Sequence, residues 1–392
     1  MKIGVLYDSC VPNFNFLSAN DRRVINICES LNLVGIEADI LQPRWRNVTN
    51  YDLPPSFKSK IISFGKKYDF PLLSRLHFYF DCFKKIKKNK YDFVIFYNTI
   101  IDSIVLMILF KVFGIKFGLE ICDKHSENKI MRSGFLNKIK LLFIVKPTES
   151  ILNKITDFNI VINQSLKRSL PLSTPTLILP VLVDSLNFKC SDKSAIKFRA
   201  TNNFSDKVLI TFCGSYWYYE GSELLVEAIR NLSIKYKNIL LLFVGNVSHN
   251  KFKPDLYSLV KEYSLEEYIF FTGKLTEQEL IETFSATDIF ALPQFKDGFT
   301  DYAFPTIIGE FASMGKPIIA SNTGELATVF TDQKDVLFFE DGNVEQLTNQ
   351  IERLVLNLDL RQKLGDGARN ISQNIFGLKI NGLRLFNFFH NL

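Results

Sequence analysis

The chain has 392 residues, of which 47% are hydrophobic and 14% aromatic, so it can fill two packed cores and is too apolar for intrinsic disorder. Its six cysteines have neither disulfide nor metal-ligand spacing, and its longest apolar run is too short to cross a membrane. These features exclude a disulfide scaffold and a membrane-spanning chain, and predict a cytoplasmic protein of two domains.

The net charge of +6 conceals a difference between the two halves. Residues 1–190 contain 27 Lys and Arg against 16 Asp and Glu, whereas residues 191–392 contain 20 against 25. A basic half next to an acidic half predicts that only one side of the protein faces a polyanionic surface.

The first half opens with a β-α-β pattern. Residues 2–7 predict a strand rather than a signal peptide, because their apolar run ends after five residues. A helix capped by Asn20 or Asp21 runs to about Val34 and precedes an alternating strand over residues 36–41. This opening is typical of a Rossmann-like domain, and strands at 91–97 and 114–121 with a buried helix at 101–112 extend it.

Residues 56–90 form a strongly basic segment with ten basic and two acidic residues. Aromatic and aliphatic residues recur at helical spacing over 57–68 and again over 72–83, with lysines between them. The pattern indicates two amphipathic helices that lie on an anionic membrane surface, or solvated helices packed on the domain. No nucleic-acid motif accompanies the lysines, so nucleic acid is not expected as a partner.

The second half repeats the alternation of strands and helices. We expect a first domain over residues 1–188, a linker over 189–206, a second domain over 207–372, and a C-terminal helix over 373–392 that packs on the first domain. In the second domain, the strand 208–213 leads through Gly214 to a helix that opens near Gly221. Further strands end at Gly245 and Gly273, which predicts a second doubly wound sheet.

The most informative stretch covers residues 292–321. A buried strand ends at Leu292, a loop rich in helix breakers follows, and Pro305-Thr306 opens a helix that must stop at Gly315 before Pro317. A helix start presents free backbone N–H groups and a partial positive charge, which suits a phosphate. Glu310, one turn into the helix, is placed to reach a sugar hydroxyl beside that phosphate.

Residues 310–317, Glu-Phe-Ala-Ser-Met-Gly-Lys-Pro, resemble the Glu-Ala-Met-Ala-x-Gly-x-Pro helix of the family 4 retaining glycosyltransferases. The Gly214…Gly221 frame resembles that family's Gly-Arg-x-x-x-x-Lys-Gly loop, and residues 180–188 resemble its domain junction. The resemblance implies a GT-B fold of α/β class, with two doubly wound Rossmann-like domains that face a cleft. It also implies transfer of a sugar with retention at the anomeric carbon, and no metal or other cofactor.

The resemblance further implies roles for individual residues. Glu310, His125 and Asp301 are the catalytic candidates, with His125 placed to hydrogen-bond a sugar hydroxyl or, alternatively, lying as a surface loop histidine. The expected partners are a nucleotide-diphosphate sugar and a saccharide or lipid-linked saccharide acceptor of polysaccharide biosynthesis. The expected donor-binding residues are Gly214, Ser215, Gly221, Gly245, Gly273, Leu275, Phe299, Thr300, Asp301, Tyr302, Thr306 and Glu310.

The chain departs from the family at its charged positions. Ser215 stands where the family has the phosphate-binding Arg, Glu220 where it has the Lys, and Tyr302 where it has its first glutamate. Two hypotheses therefore stay open: a working hexosyltransferase, with Lys296 or a lysine of the first domain supplying charge, or a weakened homologue that acts as a binding or assembly partner. A nucleotide-sugar epimerase is a related-fold alternative.

Overall fold

The computed structural model describes eight stretches of the chain: residues 1–7, 17–43, 57–65, 71–97, 103–123, 155–247, 255–297 and 300–392. The chain divides into two compact units. The first contains Met1–Leu182 together with Leu378–Leu392, and the second contains Val183–Gly377.

The first unit is built on a parallel sheet of seven strands in the order β3-β2-β1-β4-β5-β6-β7. Its strands are β1 (Lys2–Tyr7), β2 (Glu37–Pro43), β3 (Lys60–Phe64), β4 (Phe93–Tyr97), β5 (Lys116–Ile121), β6 (Phe158–Val161) and β7 (Thr176–Ile178). Its helices are α1 (Ala19–Leu33), α2 (Pro71–Asn89), α3 (Ile104–Val112), α4 (Gln164–Arg168) and, from the end of the chain, α13 (Leu378–His390). The predicted Rossmann-like alternation is confirmed here.

Helix α1 begins two or three residues earlier than predicted. Ser18, rather than Asn20 or Asp21, is the N-cap, and its hydroxyl accepts a hydrogen bond from the Asp21 N–H at 3.2 Å. The Asp21 carboxylate in turn accepts from the Ser18 N–H at 2.8 Å, which completes a capping box. Such a cap stabilises a helix start by about 1 kcal/mol.

The final helix, α13, packs on α1 within the first unit. A Cβ added to Gly382 would collide with the carbonyl oxygen of Ser30, so the two backbones touch where Gly382 has no side chain. Phe389 lies between the rings of Phe93 at 5.0 Å and Phe158 at 5.3 Å, and this places the end of the helix in the core of the unit.

Two expectations for the first unit are wrong. Part of residues 57–68, expected as an amphipathic helix, is the strand β3, which pairs in parallel with β2 and has two β-branched residues, Ile61 and Ile62. The helix α3, expected to be buried, exposes 51% of Val105, 51% of Ile108 and 72% of Val112. Only the inner side of α3 packs on the core, so the apolar side chains on its outer side stay exposed.

The second unit holds a parallel sheet of six strands in the order β10-β9-β8-β11-β12-β13. Its strands are β8 (Val208–Cys213), β9 (Ile239–Val244), β10 (Ile269–Gly273), β11 (Ile289–Leu292), β12 (Ile318–Ser321) and β13 (Leu337–Phe339). Its helices are α5 (Asp192–Thr201), α6 (Ser222–Ser233), α7 (Leu256–Glu262), α8 (Glu277–Ala286), α9 (Ile307–Met314), α10 (Leu326–Val329), α11 (Val344–Leu356) and α12 (Leu358–Ile371). The second doubly wound sheet is thus confirmed.

Residues 189–206, expected as a linker, contain the helix α5. Its N-cap is Ser191, whose side chain accepts from the Ser194 N–H at 3.3 Å. Arg199 of α5 donates hydrogen bonds to the Ala286 carbonyl and to the Asp288 carboxylate, with Nη2–O distances of 2.6 and 2.5 Å. The segment therefore packs as part of the second unit.

Candidate functional site

The candidate site lies at the carboxyl edge of the second sheet. The chain proceeds from β8 outward to β9 and β10, then returns to the other side of β8 as β11. At such a reversal the loops after the two central strands leave in opposite directions and open a crevice, which is where doubly wound sheets bind ligands. The loops concerned follow β8 and β11, and we call them the first loop and the second loop.

These two loops contact each other closely. Gly221 has a φ of 63°, and a Cβ at this position would collide with the carbonyl oxygen of Pro293. The Phe295 N–H donates to the carbonyl of Tyr219 at 2.8 Å, and the Tyr218 hydroxyl donates to Asp297 at 3.1 Å. Glycine at 221 is thus required both by its left-handed backbone and by the approach of the second loop.

A further predicted glycine, Gly245, meets the loop after β8, and Gly273 pairs with it. Gly245, at the end of β9, has a φ of 124°, and a Cβ there would collide with the carbonyl oxygen of Gly214. The Gly245 N–H donates to the Gly273 carbonyl at 3.0 Å. The structure thus brings Gly214, Gly221, Gly245 and Gly273 to one edge of the sheet, while Leu275 follows β10 beside Thr276, the N-cap of α8.

The Glu220 carboxylate folds back into the loop that it ends. One oxygen accepts from the Tyr216 N–H at 2.5 Å, and the other accepts from the Ser215 hydroxyl at 3.2 Å. Burial raises the pKa of Glu220, and it outweighs the opposing effect of the hydrogen bonds from the backbone of residues 215–217. The residue at the family's lysine position is therefore an acid held inside the loop.

Tyr216 is the strained residue of this loop. Its φ of 61° is left-handed although it is not a glycine, and its ring is fully buried between Phe212 at 5.4 Å and Phe243 at 5.7 Å. Burial raises the pKa of its hydroxyl. The strain is offset by this aromatic packing and by the Glu220 hydrogen bond, so the loop has a defined shape.

Asp297 and Thr300 hold the second loop together. Thr300 is buried, its N–H donates to the Asp297 carboxylate at 2.8 Å, and its hydroxyl accepts from the Asp297 N–H at 2.8 Å. The Asp301 N–H donates to the Asp297 carbonyl at 3.2 Å. The N–H groups of Thr300 and Asp301 are therefore used within the loop.

Helix α9 follows this loop and contains Glu310. Thr306 is its N-cap, without a side-chain hydrogen bond to the helix, and Gly315 ends it with a φ of 64°. Glu310 is 9% exposed, and Phe311 beside it stacks on Phe290 of β11 at 3.9 Å. The Glu310 carboxylate is thus carried on a helix that is fixed to the central part of the sheet.

Sequence reasoning assigned no role to Asp297 or Gly324. Gly324 has a φ of 56°, and a Cβ there would lie 2.6 Å from the Thr300 carbonyl oxygen, so it supports the second loop from the end of β12. The sequence signal that could have identified Asp297 is its position three residues before Thr300, which is typical of a turn closed by an aspartate side chain.

Some predicted residues cannot be placed in this site. His125 and Phe299 lie outside the described residues. Tyr302 and Asp301 are half-buried in the loop before α9, and Ser215 is exposed.

In the described part of the chain no group of three or more His, Cys, Asp and Glu is arranged to hold a metal ion. No helix among these residues is long and apolar enough to cross a bilayer.

Comparison with known proteins finds a family model that matches the second unit. Residues 194–371 match the family model of glycosyl transferases group 1. An uncharacterized glycosyltransferase of Methanocaldococcus jannaschii is 23% identical over 343 residues, which cover 86% of this chain and 80% of that protein.

Two solved structures resemble the whole chain. Sucrose-phosphate synthase from Thermosynechococcus elongatus has a TM-score of 0.77 at 17% identity, covering 100% of this chain and 98% of the other. Anabaena HepE in complex with UDP and glucose also has a TM-score of 0.77, at 15% identity and with 100% of both chains covered. The chain therefore has the predicted GT-B fold of two Rossmann-like α/β units.

Proposed function

We propose that this chain, whose residues 194–371 match the group 1 glycosyl transferases, moves a hexose from a nucleotide-diphosphate donor to a saccharide or lipid-linked saccharide in polysaccharide biosynthesis. The main support is the site at the reversal of the second sheet, where the loops after β8 and β11 meet beside the helix that carries Glu310. The complex of Anabaena HepE with UDP and glucose adds support for a nucleotide-sugar donor.

In the proposed complex the donor diphosphate lies at the start of α9. The first turn of a helix carries a partial positive charge, which stabilises the negative charge that develops as the diphosphate leaves. Glu310, one turn further on, accepts hydrogen bonds from the ribose hydroxyls. Lys296, which is exposed in the loop before α9, supplies the positive charge that Ser215 and Glu220 do not.

The proposed reaction retains the anomeric configuration and uses no metal. The acceptor oxygen forms its bond to the anomeric carbon on the face from which the bond to the donor phosphate breaks. The acceptor proton passes to a phosphate oxygen, and the nucleoside diphosphate leaves. Asp301 and His125 stay candidates for contacts to the sugar.

One observation favours a second candidate function. Glu220 stands where the resemblance predicts a lysine, and its carboxylate accepts a hydrogen bond from the Tyr216 N–H. The loop after β8 therefore attracts a diphosphate less strongly than a loop that contains Arg and Lys. A weakened homologue that binds its partners without efficient turnover is therefore the alternative.

Thermal shift with UDP and GDP tests the donor site directly. A nucleotide at one hundred times its Kd stabilises the folded state by about 2.7 kcal/mol, which gives a measurable rise in Tm. We expect this rise in the wild type and in Glu345→Ala, a control at an exposed helical glutamate, and its loss in Glu310→Ala. If no nucleotide shifts the Tm of the wild type and Glu310→Ala changes nothing, the proposed function is wrong.

Mass spectrometry of mixtures with nucleotide sugars then separates the alternatives. A transferase forms product only when an acceptor is present. A weakened homologue shows the nucleotide-dependent rise in Tm without product, and an epimerase forms a new nucleotide sugar without an acceptor.

A further inference from the structure

Two helices of the first unit, α2 and α3, cover the same face of its sheet. They share one core with residues of β1, β2, β4 and β5. Their inward side chains are Phe78, Tyr79, Cys82 and Ile86 from α2, and Leu106, Met107 and Phe110 from α3. The two helices also contact each other through Phe83 and Phe110, whose rings lie 6.3 Å apart.

Opposite this core, each helix has an apolar stripe facing outward. On α2 the stripe is Leu73, Leu76 and Phe80, and on α3 it is Val105, Ile108 and Val112. Both have the spacing i, i+3, i+7, which places the three side chains in one line along a helix. All six are between 42% and 72% exposed, so neither stripe is covered by the rest of the described chain.

Aromatic residues and lysines join the two stripes. Phe113, which is 51% exposed, lies 5.0 Å from the Phe83 ring, so α2 and α3 form one continuous outer surface. The Lys84 ammonium lies 4.2 Å from the Phe80 ring centre, and the Lys87 ammonium lies 4.6 Å from that of Phe113. The apolar surface is therefore bordered by cations whose methylene stems extend over it.

Acidic residues are nearly absent from this surface. Within α2 and α3 the sequence contains a single carboxylate, Asp81, which lies 3.1 Å from His77. Lys85 and Lys88 are also exposed on α2. We call this surface, made of the two apolar stripes, Phe113 and the lysines of α2, the α2–α3 surface.

We propose that the α2–α3 surface docks on an anionic lipid bilayer. Exposed apolar side chains bordered by lysines bind the boundary between headgroups and acyl chains, because apolar burial and attraction to anionic lipids act together. A second copy of this chain fits less well, because a symmetric contact would bring the lysines of both copies together around one carboxylate per copy. The surface differs from the segment predicted from sequence, since it includes α3 and excludes the strand β3.

Flotation with lipid vesicles tests this proposal. The full chain is mixed with vesicles of phosphatidylcholine containing about 30% phosphatidylglycerol, and with pure phosphatidylcholine, at low and high salt. We expect binding to the anionic vesicles at low salt, and a marked decrease at high salt or without the anionic lipid.

Two variants and a matched control assign the binding to the surface. Phe80→Ser with Ile108→Ser removes apolar contacts, and Lys84→Glu with Lys87→Glu reverses the charge. Each lysine near an anionic membrane contributes about fivefold in binding, so the second variant should bind at least about tenfold more weakly. The control, Ile234→Ser with Lys193→Glu, changes an exposed isoleucine and an exposed lysine of the second unit and should bind like the wild type.

The outcomes separate the proposal from its alternatives. A wild type that fails to float with anionic vesicles, or variants that bind like the wild type, would overturn it. Sedimentation showing a dimer that Phe80→Ser with Ile108→Ser dissociates, without vesicle binding, would assign the surface to a second copy instead. The Tm rise with nucleotide is measured on the same variants and should persist, because the candidate donor site belongs to the second unit; failure of membrane binding and failure of the proposed function are thus distinguishable.

Discussion

The Glu220 carboxylate accepts a hydrogen bond from the backbone N–H of Tyr216, at 2.5 Å, inside the loop that follows β8. An anion already holds a donor of this loop, at the position where the resemblance to the family 4 glycosyltransferases predicts a lysine. In the proposed donor site Glu220 opposes the approach of a diphosphate, and neutralising it should raise nucleotide affinity.

Glu220→Gln should bind UDP or GDP more tightly than the wild type. Two unit charges about 6 Å apart near a protein surface interact by about 3 kcal/mol before screening, and solvent reduces this value. The glutamine amide oxygen can still accept the hydrogen bond from the Tyr216 N–H, so the loop keeps its shape, and we expect an affinity gain of about tenfold, measured by calorimetry. Glu227→Gln, an exposed acid on α6, is the control, and weaker binding by Glu220→Gln would contradict the prediction.

The same carboxylate should make stability depend on pH. Its pKa is raised in the folded state above the ordinary value of 4.5, so the folded state holds a proton that the unfolded state releases. The stabilisation is complete below pH 4.5 and is lost as the pH rises through the folded-state pKa. Relative to Glu220→Gln, the wild type should therefore lose Tm as the pH rises above 4.5. A difference that is constant with pH would show that the carboxyl is not perturbed.

Breaking the buried ion pair of the first unit should be strongly destabilising. Arg23 donates to Glu120 through Nε at 3.0 Å and Nη2 at 2.8 Å, and both residues are less than 5% exposed. Arg23→Met leaves a buried carboxylate without its partner, which costs about 3–5 kcal/mol. Urea unfolding should show this loss, whereas the double variant Arg23→Met with Glu120→Leu should recover part of it.

Gly382→Ala should weaken the packing of α13 on α1. The new methyl group would collide with the Ser30 carbonyl oxygen, and overpacking of this kind costs about 1–3 kcal/mol. Leu383→Ala, at the neighbouring exposed position, should change the free energy of unfolding by less than about 0.5 kcal/mol. Equal effects of the two substitutions in thermal unfolding would argue against a close contact at Gly382.

The fold could be predicted from sequence because its signals are local. Buried strands end at glycines in the second half, and the helix of Glu310 is delimited by Pro305 and Gly315. Residues 57–68 were wrongly predicted as a helix because apolar residues at helical spacing also fit a strand at the edge of a sheet. The pairing with β2 decides in favour of the strand. The outer stripe of α3 was missed because this helix has a single polar residue, Lys111, and therefore no polar face that marks its exposed side.

The environment of Glu220 could not be predicted in the same way. Its hydrogen bonds depend on left-handed backbone at both Tyr216 and Gly221, which turns the loop back on itself. A sequence shows that an acid replaces a lysine, but it does not show whether the acid points toward a ligand or into its own loop.

The return of α13 to the first unit has a consequence for biosynthesis. The second unit is a continuous segment, Val183–Gly377, whereas the first unit needs residues 378–392 to cover α1. A ribosome therefore delivers every residue of the second unit before the first has received its last helix. Until then the side of α1 around Ser30, which contacts α13, is uncovered on the nascent chain, and the unit whose synthesis begins first is completed last.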